Sequence, residues 1–260
     1  MVSSFNSYPT GLMDGLGASA RDALVAAGTR IRLSNGQFLQ SRGADKAGMV
    51  VVLSGHVRMM TIARDGSALL LAILGPGQQF NEVTLFAGAA QTHDASAVGD
   101  TELLVLTESD YERVAGAHPE IVQALLRSNV HRLHQLVELL NDLRALPKPV
   151  VLARLLLKNA RHVTRGGAAG PVEIDISQED VAMFLGVSRA YLNKTLGQLA
   201  DLGLVDVSYR RIHVPDIGAL EDWVQENLAY ESVESPAPDA CSDTPGGTTH
   251  GRRDRAVPER

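Results

Sequence analysis

The sequence predicts an α+β protein in which an N-terminal β-roll, of barrel or jelly-roll type, precedes a long helix and a smaller C-terminal domain. Short apolar runs alternate with turn signals from about residue 31 to 107, a pattern typical of all-β barrels and jelly rolls. Near Ser109 the apolar period becomes helical. After residue 175, two capped helical patterns are followed by a predicted strand pair.

Length and composition restrict the class of protein. The 260 residues suit about two domains, and the net charge of −6 argues against a non-specific nucleic-acid coat while leaving room for a local basic face. Cys241 is the only cysteine, so no internal disulfide, structural zinc site or iron–sulfur cluster is expected. No Lys or Arg precedes Arg21, and the longest apolar runs are too short to span a bilayer. These features predict a cytoplasmic protein without a membrane partner.

Changes in composition divide the chain into five predicted segments. Pro147 and Pro149 end the long helix, because Pro removes a backbone donor and clashes with the preceding turn. The last segment lacks periodicity and large apolar residues, so it is predicted to be disordered. The segments are a leader with a short helix (1–30), the β-roll (31–117), the long helix (118–146), the C-terminal domain (147–226, with a flexible loop at 164–171) and the tail (227–260).

The long helix carries an apolar stripe whose members alternate at spacings of four and three, an a/d pattern over about two heptads. One interpretation is that this stripe packs on its own domain. The other, which we favour, is parallel contact between two copies of the chain. Arg132 and His134 lie off the stripe and are expected to form a solvent-exposed flank. The stripe consists of Leu126, Val130, Leu133, Val137 and Leu140.

Residues 176–205 predict two short helices joined by a tight turn. Ser177 and Asp180 form an N-cap of capping-box type, and Gly186 can adopt the left-handed conformation that ends the first helix. Ser188 caps the second helix, whose buried face is expected to consist of Leu192, Leu196 and Leu199. Two helices with such a turn are typical of the DNA-binding helix-turn-helix.

The opposite face of the second helix predicts DNA recognition, since the N-terminal residues of such a helix contact base edges in the major groove. Arg189 suits guanine, Asn193 suits adenine or a phosphate, and Lys194 suits guanine or a phosphate. Thr195 is expected to add a phosphate contact. The alternative is an ordinary helical hairpin with a solvated basic face. The predicted DNA-binding set is Ser188, Arg189, Ala190, Asn193 and Lys194, with Arg210 and Arg211 at the tip of the strand pair, which forms the wing of a winged helix.

Four blocks of the sequence, in this order, resemble the Crp/Fnr family of bacterial transcription regulators, and the resemblance covers roughly residues 30 to 215. They are VVLSGHVRM (51–59), DGSALLLAILGPGQQFNEVTLF (65–86), DTELLVLTESDYERVAGAHPEI (100–121) and SQEDVAMFLGVSRAYLNKTLGQLADLGLV (177–205). The resemblance implies a homodimer in which a β-roll, like a cyclic nucleotide-binding domain, senses an effector. It further implies that the long helix dimerises, that the winged helix binds a two-fold symmetric operator, and that RNA polymerase is a further expected partner.

The resemblance also implies an effector pocket, in which this sequence departs from the family pattern. Family members that bind cyclic nucleotides have a Gly-Glu pair and, further on, an Arg-Ser pair. The Gly allows the backbone to approach the nucleotide closely, the Glu binds the ribose hydroxyl, and the Arg neutralises the cyclic phosphate. Glu82 matches the Glu, but Asn81 stands at the Gly, Gln91 at the Arg and Thr92 at the Ser. No Lys or Arg occurs from residue 65 to 112, and Gln supplies no charge. Control by ordinary cyclic AMP is therefore not expected, although a distant Arg58 or Arg64 remains open as a phosphate partner.

Several alternatives stay open beside this interpretation. One hypothesis is a regulator that does not need cyclic AMP and that binds another, unidentified small molecule, is gated by a partner or is constitutively active. The others are a cyclic-nucleotide-responsive regulator (to cyclic AMP or cyclic di-GMP) with an altered pocket, an enzyme, and a nucleotide-sensing subunit that does not touch DNA. His56 and His93 are formal candidates for a haem ligand, but a lone His is more often structural. No catalytic motif is present, so no catalytic residue, no metal site and no certain cofactor is predicted.

The second helix of the pair also departs from the family pattern. Ala190 replaces the family's Glu and Lys194 replaces its second Arg, so an operator different from the common family sequence is expected.

Overall fold

A computed structural model describes residues 5, 11–44, 48–164 and 170–234, with side chains to residue 228. The predicted disordered tail beyond residue 234, with Cys241, and most of the predicted flexible loop at 164–171 lie outside the described residues. Within the described ranges a β-roll, a long helix and a small mixed domain follow one another along the chain. The predicted α+β fold class is confirmed.

The β-roll is a six-stranded antiparallel sheet in which β1, β6, β3 and β4 are neighbours in that order, while β2 pairs with β6 and β5 with β3. A hairpin that turns at Asp65 and Gly66 connects β3 and β4, with Gly66 at a φ of +86°. The strands are β1 (Thr29–Leu33), β2 (Phe38–Gln40), β3 (Met49–Ile62), β4 (Ala68–Leu74), β5 (Gln79–Phe80) and β6 (Asp94–Leu106).

The long pair of β3 and β6 separates two apolar clusters, because successive side chains of a strand point to opposite faces. Val52 is paired with Leu103, and both lie in the interior of the roll together with Phe80. The neighbouring pair of Val51 and Leu104 lies in the other cluster, beneath the flanking helices. Alternate residues of β3 and β6 therefore belong to different clusters, one inside the roll and one under the helices.

Gly55 allows the β3–β6 pair to change register, which shifts on both sides of Ser54. Its φ is +73°, a conformation in which glycine has little steric cost. A Cβ at this position would lie 2.4 Å from the carbonyl oxygen of Asp100 on the opposing strand. Only glycine therefore fits this bulge without displacing β6.

The helices of the N-terminal half pack on the outer face of this strand pair. Leu12, Leu16 and Leu24 are buried with Ile121 in one cluster, so the predicted leader does not end as a separate segment at residue 30. It forms part of the β-roll domain, since the apolar face of α1 has no other surface to bury against. The elements are a short 3-10 helix (Met13–Gly15), α1 (Ala18–Ala27), α2 (Glu82–Ala87), α3 (Glu108–Ala117) and α4 (Glu120–Ala145).

The apolar stripe of α4 faces away from its own domain. Its five members, Leu126, Val130, Leu133, Val137 and Leu140, have between 49% and 63% of their surface exposed. The side of α4 that packs on the β-roll instead carries Ile121, Leu125 and Ser128. The interpretation of the stripe as intradomain packing is therefore wrong. Neither α4 nor any other helix in the described ranges is long and apolar enough to cross a membrane.

The C-terminal domain has a larger sheet and a longer last helix than predicted. Strand β7 joins the predicted strand pair, giving a three-stranded antiparallel sheet in the order β7, β9, β8. Helix α8 continues to Glu234, so the predicted boundary at residue 226 falls inside a helix. The elements are α5 (Lys148–Val163), β7 (Val172–Ile174), α6 (Gln178–Leu185), α7 (Arg189–Asp201), β8 (Asp206–Ser208), β9 (Arg211–Val214) and α8 (Ile217–Glu234).

Strand β4 and helix α6 form the contact between the two domains. Leu70 and Ile73 of β4 belong to the apolar core of the C-terminal domain. The backbone N–H of Phe5 donates to the Ile73 carbonyl oxygen at 3.0 Å, and the Ile73 N–H donates to the Phe5 carbonyl oxygen at 2.9 Å. The ring of Phe5 packs edge-on against that of Phe184 of α6, with 5.5 Å between the ring centroids. Arg58 of β3 reaches Asp180 of α6 at 3.0 Å. Movement of α6 therefore requires a change at the surface of the β-roll.

Truncation of the roll interior is expected to destabilise the whole β-roll. The change Leu103→Ala removes a side chain with no exposed surface and should lower the free energy of unfolding by about 2–5 kcal/mol, because the cavity is only partly refilled. Urea denaturation followed by circular dichroism measures the difference. Ile62→Ala, at a position 58% exposed, is the control and should change stability by less than about 0.5 kcal/mol. Equal effects of the two changes would contradict this description of the core.

Candidate effector pocket and DNA-binding surface

A cavity of about 430 Å³ lies where β4, α2 and α4 meet α6, the first helix of the helix-turn-helix (HTH). Its volume is in the range of sites that bind small molecules. Three of the four predicted pocket residues, Asn81, Glu82 and Thr92, line the cavity, together with His93. Phe184 of α6 also contributes to the wall, so the cavity contacts both domains.

Asn81 is held by a reciprocal amide pair. Its Nδ2 donates to Oε1 of Gln40 at 2.6 Å, and Nε2 of Gln40 donates to Oδ1 of Asn81 at 3.2 Å. The backbone of Asn81 has a φ of +69°, which Asn tolerates better than most residues. The position that is Gly in the family's cyclic-nucleotide pattern thus keeps a left-handed backbone but adds a buried polar side chain.

Gln91 lies behind the cavity wall, and in this respect the structure differs from the prediction. Its side chain is 2% exposed, and its Oε1 accepts a hydrogen bond from the Thr84 hydroxyl at 3.4 Å. Its backbone bonds Gly43 and Ala44, and its Nε2 has no hydrogen-bond partner within the described residues. The backbone contacts fix Gln91 to the loop after β2, and the side chain lies behind Thr84, which lines the cavity in its place.

Arg132 supplies the cation that the sequence between residues 65 and 112 lacks. Its Nη1 lies 3.0 and 3.1 Å from the two carboxylate oxygens of Glu82, and its Nη2 donates to the carbonyl oxygen of Gln79 at 2.8 Å. The side chains of Arg132 and Glu82 are only 17% and 10% exposed. The expectation that Arg132 lies on a solvent-exposed flank is therefore wrong.

A pattern that could have located Arg132 is present in the sequence. The buried face of α4 runs through Ile121, Leu125 and Ser128 at spacings of four and three, and the next step of four reaches Arg132. The two Arg residues considered as distant partners are elsewhere. Arg58 contacts Asp180 of α6, whereas Arg64 is exposed and does not line the cavity.

His93 is a buried and largely neutral member of the cavity wall. Burial lowers its pKa, an effect that the carboxylates of Glu82 and Asp94 oppose. Its Nδ1 lies 3.0 Å from the Thr92 hydroxyl, and its ring is 6.0 Å from that of Phe80. Because the free side chain has a pKa near 6.5, the imidazole is uncharged at neutral pH and offers one donor and one acceptor.

The two helices of the helix-turn-helix, α6 and α7, have the serine caps and the glycine turn that the sequence predicts, but the capping box expected at Ser177 is only half formed, because the Asp180 carboxylate accepts from the Ser177 hydroxyl at 2.7 Å. The Ser177 hydroxyl accepts from the Asp180 N–H at 3.1 Å, and the Ser188 hydroxyl accepts from the Tyr191 N–H at 3.2 Å. Gly186 ends α6 with φ and ψ of +63° and +38°. The expected apolar face of α7 is buried, with Leu192, Leu196 and Leu199 each 1% exposed. Burial of this face determines which side of α7 remains available to a ligand.

The opposite side of α7 exposes every residue predicted for it: Ser188, Arg189, Ala190, Asn193 and Lys194. Arg189 forms an ion pair with Glu179 of α6, a carboxylate that the sequence reasoning had not placed near it. Tyr191, which was not predicted, is 42% exposed on the same side. The expected phosphate contact of Thr195 is wrong, since this side chain is 3% exposed and donates to the carbonyl oxygen of Tyr191 at 3.0 Å.

The wing tip carries the two predicted arginines at the turn between β8 and β9. Arg210 adopts a φ of +58°, and the preceding Tyr209 is 88% exposed. Arg211 lies 3.1 Å from both carboxylate oxygens of Glu173 on β7. Both arginines line a crevice that His56 of the β-roll also lines, so the wing lies beside the β-roll.

Comparison with known proteins agrees with both halves of this description. The family model for the cyclic nucleotide-binding domain matches residues 30–118, and the model for the Crp-like helix-turn-helix domain matches residues 152–223. The CRP-like cAMP-activated global transcriptional regulator of Mycobacterium tuberculosis is 28% identical over 207 residues, which are 79% of this chain and 92% of that protein. The cyclic AMP receptor protein of Thermus thermophilus is 30% identical over 177 residues, 67% of this chain and 78% of that protein.

Among solved structures, a CooA mutant from Carboxydothermus hydrogenoformans has a TM-score of 0.69, covering 84% of this chain and 99% of that one. The sequences are 19% identical, so this likeness shows the fold alone. Together the fold and the matches define a helix-turn-helix DNA-binding protein with an N-terminal cyclic nucleotide-binding domain. The chain belongs to the Crp/Fnr family of transcription regulators, as its sequence resemblance indicates.

The Glu82–Arg132 pair is expected to show strong energetic coupling. Glu82→Gln and Arg132→Gln should each lower the free energy of unfolding by about 1–3 kcal/mol, since each leaves a largely buried group unpaired. The double variant should lose less than the sum, with a coupling of about 0.5–3 kcal/mol. Urea denaturation of the four proteins measures the cycle.

A matched control cycle uses Glu173→Gln and Arg211→Gln, whose pair is 53% and 48% exposed. Exposed pairs of this kind contribute little, so their coupling should stay below about 1 kcal/mol. Additive losses at Glu82 and Arg132 would show that their contact does not stabilise the packing of α4 on the β-roll.

Proposed function

We propose that this chain acts as a homodimeric transcription regulator that binds a two-fold symmetric operator with α7 and the wing, under the control of an effector other than ordinary cyclic AMP. Contact with RNA polymerase at the promoter belongs to the same proposal. The observation that carries it is the N-terminal half of α7, which exposes Arg189, Asn193 and Lys194 while its leucine face is buried. Such a surface suits base edges and phosphates in the major groove.

The pairing of Arg189 with Glu179 is compatible with this role. Both side chains are more than half exposed, at 67% and 57%, so the pair is hydrated and contributes little to stability. A guanine presents two acceptors that match the guanidinium fork, and Arg189 can exchange Glu179 for them at small cost. Arg210 and Arg211 at the wing tip, and Lys194 on α7, then supply contacts to the DNA backbone.

The stripe on α4 supports the homodimer. Five large apolar side chains in an a/d pattern are exposed together on this helix, and an equivalent stripe of a second copy is the surface that matches its spacing. A parallel pair of α4 helices would relate the two DNA-binding domains by a two-fold axis. Operators for such dimers are correspondingly palindromic.

The charge distribution in the cavity supports control by an effector other than cyclic AMP. Arg132 is already neutralised by Glu82, and Gln91 is uncharged and does not line the cavity. A cyclic phosphate would have to separate the ion pair or remain without a charged partner, and either is costly in a buried site.

A second candidate function is control by a cyclic nucleotide. One observation favours it: Arg132 and Glu82, a cation and a ribose-type acceptor, stand side by side in the cavity. Several relatives are named for cyclic AMP, among them the M. tuberculosis and T. thermophilus proteins. In this alternative Arg132 binds the cyclic phosphate, in place of the family's Arg at the position of Gln91.

Genomic-fragment capture with the purified protein tests the main proposal. Arg189→Ala should reduce recovery of specific fragments by about tenfold or more, because one bidentate base contact contributes about 1–3 kcal/mol. Arg113→Ala, an exposed arginine on the β-roll that also pairs with a carboxylate, is the matched control. Undiminished recovery with Arg189→Ala would exclude recognition by α7.

The same capture is run without nucleotide, with cyclic AMP and with cyclic di-GMP. Equal recovery in the three arms is expected from the main proposal. Recovery that depends on one nucleotide would instead establish the second candidate.

A charge placed in the α4 stripe should dissociate the dimer. Leu133→Glu places like charges opposite each other in a parallel pair, so light scattering after size-exclusion chromatography should give the monomer mass, and operator affinity should fall with it. His131→Glu, an exposed change off the stripe of the same helix, should leave the dimer intact. A dimer that persists in Leu133→Glu would place the interface elsewhere.

A further inference from the structure

The cavity beneath α4 differs from a phosphate site in its balance of charge. Arg132 is the only Lys or Arg among the described residues that line it, and Glu82 is the only carboxylate among them. The two are in contact, so the wall is close to electrically neutral. An anionic ligand gains no net attraction there, and a cationic ligand gains none either.

Most of the wall is apolar and comes from three different elements. It includes Leu69, Leu71 and Leu74 of β4, Leu136 and Leu139 of α4, and Phe184 of α6. Contact with such side chains stabilises a ligand in proportion to the apolar surface that it removes from water, at about 25 cal/mol per Å². The cavity thus suits an apolar body more than a sugar phosphate.

The polar side chains Asn81, Thr92 and His93 of the wall lie close together. Nε2 of Gln40 lies 3.2 Å from Oδ1 of Asn81 and 3.5 Å from Nε2 of His93, and Nδ1 of His93 lies 3.0 Å from the Thr92 hydroxyl. Because burial lowers the pKa of His93, this group offers mainly uncharged hydrogen-bond donors and acceptors at neutral pH. A hydroxyl, carbonyl or amide group of a ligand would be matched by these groups, and it would not need a counter-charge.

We propose that this cavity binds an uncharged, largely apolar small molecule with one or two hydrogen-bonding groups, and not a cyclic nucleotide. The apolar part of the ligand lies between β4, α4 and Phe184, and its polar group contacts Asn81, Thr92 and His93. This inference rests on the proposed function, since it names the class of effector for the same regulator. Because Phe184 belongs to the helix that precedes α7, occupancy changes the packing that holds the DNA-binding domain.

The test uses the full-length protein and a neutral apolar probe, N-phenyl-1-naphthylamine, whose fluorescence rises in an apolar site. Val83→Trp on α2 and Leu139→Trp on α4 each enlarge a side chain that lines the cavity, and each of these filling variants should weaken saturable probe binding by about tenfold. Val83 is 53% exposed at the rim, so this variant should fold even if Leu139→Trp does not. Ile62→Trp, exposed and outside the cavity wall, is the control and should bind like the unchanged protein.

Competition with cyclic AMP separates the two ligand classes. Probe binding that both filling variants weaken, and that cyclic AMP at about 1 mM does not displace, supports the proposal. Competitive displacement by micromolar cyclic AMP overturns it in favour of the nucleotide. Absence of saturable binding, or equal binding by both filling variants and the control, also overturns it. Recovery of operator fragments is measured separately, so failure of the ligand class is distinguished from failure of the proposed function.

Discussion

The arrangement of the molecule depends on polar contacts of two α4 residues, Ser128 and Arg132, which fix α4 against the β-roll. Gln79 donates to the Ser128 hydroxyl at 2.9 Å, and one helical turn further on Arg132 contacts Glu82 and the carbonyl oxygen of Gln79. Since residues four apart lie on the same face of a helix, these contacts set the rotation of α4 about its axis. That rotation turns the apolar stripe outward to solvent and turns Leu136 and Leu139 onto the cavity.

The same placement of α4 connects the two proposed sites. The cavity is closed on one side by Phe184, whose ring is also in contact with Phe5, and β4 contributes Leu70 and Ile73 to the core of the DNA-binding domain. The Arg58–Asp180 pair ties the cap of α6 to β3. A ligand that moves β4 or Phe184 would therefore act on α6 directly, and α7 follows α6 after a turn of only a few residues. The coupling needs no long chain of intermediate contacts.

Electrostatics are the reason for proposing a different class of ligand in a pocket that keeps the family's acidic residue. Glu82 occupies the expected place, but its partner is a guanidinium from the long helix. An ion pair that is already formed and largely buried gives shape and orientation to the wall without attracting net charge. The amide pair of Asn81 and Gln40 similarly orients the wall and adds no charge that would attract a phosphate.

The sequence by itself determined the features that depend on neighbours within a few residues. Ser177, Gly186 and Ser188 set the ends of α6 and α7, because caps and left-handed turns are local, and the leucines of α7 follow the helical period. Thr195 follows that period as well, three residues after Leu192, so its burial was within reach of the same argument. The stripe on α4 was visible for the same reason.

Only the tertiary structure decided which polar residues meet across long separations. Glu82 and Arg132 are 50 residues apart, and Arg58 and Asp180 are 122 apart, so no periodicity relates them. Gln91 shows the converse: its position in the chain matches a family ligand, but its hydrogen bonds to Gly43, Ala44 and Thr84 hold it behind the residues that line the cavity. Local chemistry fixed the helices and turns, whereas the packing of β4, α4 and α6 fixed the charge and shape of the pocket, because a side chain's partner depends on the whole fold.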